Sequence, residues 1–471
     1  MSDLGTALIH SLVSSMFMKV VSFAISVAVV RFSSLADYGQ LNVTLPLLVS
    51  VSHFFLKEGF RRAAIRFDDK KVSLHVSLAG VLLAAVWSQV VVVWYCWSLE
   101  EVSFLSLSIL SAAILLDIAA EPFLIHQVVV NENLVVRSNA ELVASAIRSL
   151  VLLGCLVGNC SALLAFGVAQ LGYSLAWLVR LARGVPLSGL LPGTSFSGVW
   201  STLRDPLITT PLVEMLVISV QKLFLAEGEK ALTVWFISPD GMGQLAIVNN
   251  LGSVVLRLVF APVEDIAFTA LSKKTTDRKS VLQSVFLIQS IIGLMGLAFG
   301  PPVCQAVLNL LYGHALSSQP EVVGMLQLYC GLLFLFACNG VLEAFYFATA
   351  NSGQMRRSII FQWVAFGALC GTVGATFSLG PTSILLGTGV SMAARIIACF
   401  TIFTHSTDPF HPKLPRVAGP VIAGGILCHA ALLYIHGPFA RLATAGLIAA
   451  VSAVPLVGPL RGVLFELSKS D

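Results

Sequence analysis

Long apolar runs separated by short polar breaks fill almost the whole chain. An α-helix needs about 20 apolar residues to cross a hydrocarbon core, and on that measure the runs predict about fourteen spans. Six precede the first sizeable polar break, at roughly 10–33, 43–64, 74–97, 103–126, 139–158 and 160–181. The Gly/Pro/Ser-rich stretch GVPLSGLLPGTSFSGVW, residues 184–200, then reads as a connector. Eight more spans follow, at roughly 206–226, 243–270, 281–300, 322–348, 358–377, 380–403, 416–436 and 441–460. The pattern predicts an all-α polytopic membrane protein with an N-terminal lobe of six helices over 1–183, a connector over 184–205 and a C-terminal lobe of six helices over 206–403. Two additional helices and a tail complete it over 404–471.

Composition agrees with the pattern. Of 471 residues 57% are hydrophobic and 11% charged, against about a quarter charged in a soluble domain. The net charge of +4 does not point to nucleic acid, because the basic residues sit in short flanks where they set topology. Alternate flanks hold them: Lys57 to Lys71, Arg137, then Arg180, Arg183 and Arg204, then Lys273 to Lys279. The same side continues through Arg356 and Arg357, Lys413 and Arg416, and Arg461 to Lys469. The opposite side keeps Arg31, Lys222, Lys230 and Arg441. This asymmetry predicts an even number of spans with both termini cytosolic. The N-terminal segment lacks a basic n-region, so the first span is expected to stay as a helix and act as its own insertion signal. The Asn-x-Ser/Thr acceptors at Asn42 and Asn159 fall on the far side, close to helix ends. The nine cysteines lie mostly in apolar runs without metal spacing, and are expected as small buried hydrophobes.

One stretch organises the charged residues that do enter the spans: FFLKEGFRRAAIRF, Phe54–Phe67. It places Lys57, Glu58, Arg61, Arg62 and Arg66 at the end of an apolar segment. As a helix it puts Glu58 one turn from Arg61 and Arg62, so that a carboxylate and two guanidinium groups share one face. The arginines alone fit a cytosolic anchor, but Glu58 does not. Further intramembrane polar groups are Lys19, Arg31, Asp117, Glu121, Glu141 and Arg148 in the first lobe, and Glu214, Arg257, Glu264, Asp265, Glu343 and Arg395 in the second. Such groups are costly in lipid, and are functional candidates unless they are helix-end groups or structural ion pairs. Glu121 precedes Pro122, which suits a kink. His10, His53, His75 and His126 read as isolated, interfacial or packed.

A faint repeat relates the lobes: Phe54-x-x-x-Glu58 ends the second span, and Phe260-x-x-x-Glu264 ends the second after the connector. Paired lobes are a common basis of alternating access. The sequence has no GxxxxGK[ST] loop for a nucleotide, no metal-ligand spacing, and no nucleophile with a base in reach. The residues point to a carrier without cofactor or metal.

The motifs that remain resemble those of the Rft-type proteins of the endoplasmic reticulum, in the larger group that includes bacterial lipid flippases and multidrug antiporters. They are Arg31-Phe32, Glu58 with Phe60-Arg61-Arg62-Ala63, Glu121-Pro122-Phe123, Glu141, Glu227-Gly228-Glu229, Val248 to Ser253, Arg257-Leu258, Phe260, Pro262, Glu264, Asn339-Gly340, Glu343 and Phe345. The run IVNNLGS with RLVFAPVED shortly after it is the most specific. Lys57, Gly59 and Lys230-Ala231 depart from the expected pattern. Lysine keeps the charge but not the bidentate fork, which favours Arg61 and Arg62 over Lys57 as phosphate ligands.

The resemblance implies transbilayer movement, without ATP hydrolysis, of a dolichol pyrophosphate bearing five mannoses and two N-acetylglucosamines, delivered to the lumenal leaflet for protein N-glycosylation. It implies a substrate-contacting set of Arg31, Glu58, Arg61, Arg62, Glu121, Glu141, Asn249, Asn250, Arg257, Glu264 and Glu343. A pyrophosphate crossing lipid calls for fixed cations such as Arg31, Arg61, Arg62 and Arg257. Sugars call for hydrogen-bonding groups such as Glu58, Asn249, Asn250 and Glu264. Membrane lipids are the other expected partners. Two alternatives stay open at this point: a non-transporting protein that binds the same glycolipid, and a cation-coupled exporter of small amphiphiles with Glu58 or Glu264 carrying a proton.

Overall fold

The computed structural model describes residues 20–67, 69–97, 103–131, 134–183, 185, 196–272, 278–349, 352–404, 415–435 and 437–456. The described residues form helices and no strand. Eleven helices among them are long and apolar enough to cross a membrane, and three shorter apolar helices accompany them, Val20–Phe32, Ala418–Leu432 and Pro438–Ala453. The chain is a multi-pass membrane protein. Half of the expected connector 184–205 lies outside the described residues, as do residues 1–9, residues 10–19 of the first expected span, and residues 457–471.

Packing divides the described chain into two compact units, Val20–Gly243 and Gln244 onward. The first contains α1 (Val20–Phe32), α2 (Leu35–Arg66), α3 (Lys70–Trp97), α4 (Phe104–Val130), α5 (Leu134–Val157), α6 (Ala162–Ala182), the short α7 (Phe196–Arg204) and α8 (Pro206–Phe236). Ser34 caps α2, its Oγ accepting from the Asp37 backbone N–H at 3.1 Å. Asp205 caps α8 in the same way through Leu207. Lipid tails are as apolar as leucine, so helices in a membrane associate by close packing through small residues rather than by escape from water. Gly167 of α6 accordingly lies against the α4 backbone at Ser106 and Leu110, and Gly80 of α3 against Phe60 of α2. A core of Ala120, Leu124, Ala140, Ala144, Trp177 and Leu181 locks α4, α5 and α6 together.

The second unit holds most of α9, which runs from Pro239–Val255 through a wider turn to Ala261–Ser272. It continues with α10 (Arg278–Tyr312), α11 (Pro320–Thr349), α12 (Ser352–Ala375), α13 (Thr382–Thr404), α14 (Pro415–Leu432) and α15 (Pro438–Ala453). One core joins α9, α10, α11 and α13 around Leu271, Phe286, Leu342 and Cys399, and a second joins α10, α14 and α15 around Leu294, Phe299, Val421 and Ala445.

Several long helices are interrupted where the site residues lie. π-Helical turns occupy Gln40–Thr44 and Phe55–Phe60 in α2, His126–Val130 in α4 and Leu256–Phe260 in α9. A π turn inserts a residue and rotates the rest of the helix about its axis, and such turns concentrate at functional positions. α4 breaks at Ala120 and restarts at Glu121, with Pro122 in the first turn, where its missing N–H has no helical partner to lose. The helix is thus interrupted at the step before Glu121-Pro122.

Candidate functional site

In the first unit α2 and α4 face each other with matched charge. His53, Lys57 and Arg61 recur at four-residue spacing on α2, and Asp117 and Glu121 do so on α4. The Arg61 guanidinium donates through Nε to Glu121 Oε1 and through Nη2 to Oε2, both at 2.5 Å. This is the bidentate fork, the strongest geometry for such a pair. Glu121 is 2% and Arg61 11% exposed, so the pair is held inside the bundle. One turn away Lys57 Nζ donates to Asp117 Oδ2 at 3.0 Å. His53 Nε2 stands 3.0 Å from the same oxygen without the alignment of a hydrogen bond, while its Nδ1 meets the Val49 carbonyl at 2.8 Å. Asp117, 3% exposed, thus keeps two basic neighbours, as a carboxylate inside a membrane requires.

The expectation that Glu58, Arg61 and Arg62 share one face is corrected. Arg62 pairs with Glu58 at 2.5 Å and is 45% exposed, whereas Arg61 turns inward to α4. Successive helical residues stand about 100° apart, and the π turn at Phe55–Phe60 resets the register just before Arg61. His53, expected as isolated and as interfacial or packed, is packed but not isolated: it is buried beside Asp117.

The other expected site residues fall in several places. Arg31 is exposed at the end of α1, and Glu141 is exposed on α5. In the second unit the Arg257 guanidinium lies along its own helix. It donates to the carbonyl and side-chain oxygens of Asn250 at 3.1 Å each, and to the Ser253 carbonyl at 3.3 Å. Asn249 is half-buried one position before Asn250. The Glu264 carboxylate sits where a Cβ on Gly340 of α11 would fall, so this glycine makes room for it. Glu343 on α11 faces Arg395 on α13 at 3.6 Å, beside a cavity of about 30 Å³ that Gln362 and Ser358 also line. That volume suits one or two waters.

The sequence singles out Glu227 and Arg148 but not what surrounds them. Glu227 on α8 accepts from Ser50 of α2 at 2.9 Å and from Lys230 at 2.8 Å, which carries a charged run through a long membrane helix. A cavity of about 280 Å³ lies between α1, α2 and α5, with Arg148 in its wall. The readable signal for the cavity was the spacing of Ser145, Arg148 and Ser149 on one helical face.

The arrangement of helices is similar to that of a solved membrane protein. The lipid II flippase MurJ matches this fold with a TM-score of 0.60 over 95% of this chain and 98% of that one, at 12% identity. The chain belongs to the Rft protein family, whose family model matches residues 5–457. A relative from Xenopus tropicalis, a Man(5)GlcNAc(2)-PP-dolichol translocation protein, is 24% identical over 88% of this chain and 84% of its own length. The relative of the same description from Schizosaccharomyces pombe is 31% identical over 41% of this chain and 38% of its own length.

Proposed function

We propose that this chain moves Man5GlcNAc2-PP-dolichol across the endoplasmic reticulum membrane, from the cytosolic to the lumenal leaflet, without ATP hydrolysis and with both termini cytosolic. The reading assigns it no bond-making or bond-breaking chemistry. The observation that carries it is the near full-length match to relatives described by that translocation. The geometry supports it: the spans of the first unit hold Lys57, Arg61, Arg62 and Arg148, and a pyrophosphate leaving water needs fixed cations to replace its hydration. The dolichol tail needs no protein cavity, since it is already soluble in the bilayer.

A second reading has its own observation. Lys57 and Arg61 are engaged by Asp117 and Glu121, as they would be in a protein that binds the glycolipid but does not move it. Reconstitution separates the two. Purified chain in vesicles with the glycolipid is expected to make the whole pool accessible to an externally added, lectin-type reagent, while protein-free vesicles expose the outer leaflet alone. Protein vesicles that bind the glycolipid yet match the protein-free control would leave the accessory reading in place of the transport reading.

A further inference from the structure

The cavity between α1, α2 and α5 is built from three helical faces. Ser22 and Ser26 come from α1, Asn42 from the first π turn of α2, and Ser145, Arg148 and Ser149 from α5. The polar positions on α1 and α5 recur at three- or four-residue spacing, so these two helices each turn a polar stripe to the space that Asn42 also lines. Arg148 stands nine residues from the end of α5 at Val157 and fourteen from its start at Leu134. At 1.5 Å per residue those distances are about 14 and 21 Å, too deep for the side chain to reach either end.

The charge on Arg148 is handled unlike the others. Lys57, Arg61 and Arg62 each meet a carboxylate, but among the described residues Arg148 forms no ion pair. Its guanidinium stacks on the Phe166 ring of α6, 5.0 Å from the centroid. Stacking uses the flat face of the group and leaves its edge, where all five N–H donors lie. Asn42 donates its amide Nδ2 to the Tyr38 carbonyl at 2.9 Å, which fixes the side chain at the cavity wall. A cation half-buried in a membrane span, with hydroxyl groups around it and no acid lining the same space, is suited to an anion. Neutral sugars would be served better by carboxylates, which this wall lacks.

Size and position narrow the ligand. About 280 Å³ is at the lower edge of pockets that enclose small ligands, roughly 300 Å³ and upward. It accommodates a pair of phosphates and excludes a seven-sugar glycan. Asn42 and Arg61 are nineteen residues apart on α2, about 28 Å along the helix, close to the thickness of a hydrocarbon core. The cavity reaches from the Asn42 end of α2 to the middle of the span, where Arg148 stands.

We propose that the Arg148 cavity is an anion subsite for the pyrophosphate group of a polyprenyl-linked substrate, held within the span of the first unit. This rests on the transport reading above, in which the headgroup must be held on its way across the span. The test is binding of a labelled short-chain prenyl pyrophosphate to the purified full-length chain, with inorganic pyrophosphate as competitor. Arg148→Ala is expected to weaken binding roughly 10- to 100-fold, the loss of hydrogen bonds to a charged group. Arg148→Lys is expected to keep part of it. Ser145→Asp sets a carboxylate one turn from an intact Arg148 and is expected to weaken binding as the alanine does. It decides the matter where Arg148→Ala does not fold. Wild-type affinity in a folded Arg148→Ala or Ser145→Asp protein would overturn the subsite. Labelled inorganic pyrophosphate that binds the chain and is not displaced by the prenyl compound would overturn the lipid-borne ligand. A wild-type chain that fails to equilibrate glycolipid in vesicles would instead overturn the transport reading, and the binding comparison would still decide the subsite.

Discussion

Arg61→Ala is expected to destabilise the chain by about 3–5 kcal/mol, the loss seen when one partner of a buried ion pair is removed and the other is left uncompensated. Glu121 has nowhere to turn. It is 2% exposed, it begins the restarted helix after Ala120, and both its oxygens accept from the single guanidinium. The double replacement Arg61→Met with Glu121→Met removes both charges and conserves much of the volume, and should recover most of the lost stability, since apolar substitutes for a buried pair are often neutral or better. Thermal unfolding of the wild type, both single variants and the double variant in one detergent completes a double-mutant cycle. Additive losses, with the double variant as unstable as the two singles summed, would mean that the pair is not a coupled unit.

The same set of proteins separates structure from transport. A stable double variant that no longer equilibrates glycolipid would place the Arg61 fork in the substrate's path, opening from Glu121 to a phosphate. A stable and active double variant would assign Arg61 to holding α2 against α4, and leave the anion to other cations. Arg61→Lys sharpens this further: it keeps the charge opposite Glu121 but loses the bidentate fork, so it should preserve stability better than it preserves recognition of a phosphate.

The membrane spans were legible because the hydrocarbon core imposes one length on every helix. The misplaced boundaries have local causes. The second span begins at Leu35 rather than near 43, because Asp37, Tyr38 and Gln40 read as polar loop whereas Ser34 caps a helix there and Tyr38 is buried. α8 runs on to Phe236 rather than ending near 226, because Glu227 is satisfied by Ser50 and Lys230 inside the helix. Within the site, the individual charges could be read but not their partners. Sixty residues separate Arg61 from Glu121 and Lys57 from Asp117, and no local spacing announces such a pairing. The π turn that sends Arg61 and Arg62 different ways leaves no mark in an apolar run, where helical periodicity is already faint.

Gly243→Ala tests a close helix contact in the first unit. A Cβ on Gly243 would fall onto the carbonyl oxygen of Leu35, the first residue of α2. On the other side, a Cβ on Gly39 would lie 2.6 Å from the Gly243 nitrogen and 2.9 Å from the Pro239 carbonyl. The two glycines let the starts of α2 and α9 meet backbone to backbone, with Thr44 and Met242 in contact alongside. The obstacle at Leu35 is main chain held in a helix, so it cannot rotate aside as a side-chain tip would. The alanine is expected to cost about 1–3 kcal/mol or more through overpacking. Gly154→Ala on α5 is the internal control: nothing lies within 4 Å of its Cβ position, and relief of glycine's helix penalty should leave that variant neutral or more stable by about 0.5–1 kcal/mol. Opposite shifts in the thermal midpoints of the two proteins, measured side by side in the same detergent, are the expected result; a Gly243→Ala protein as stable as wild type would mean that α2 and α9 do not cross at this distance.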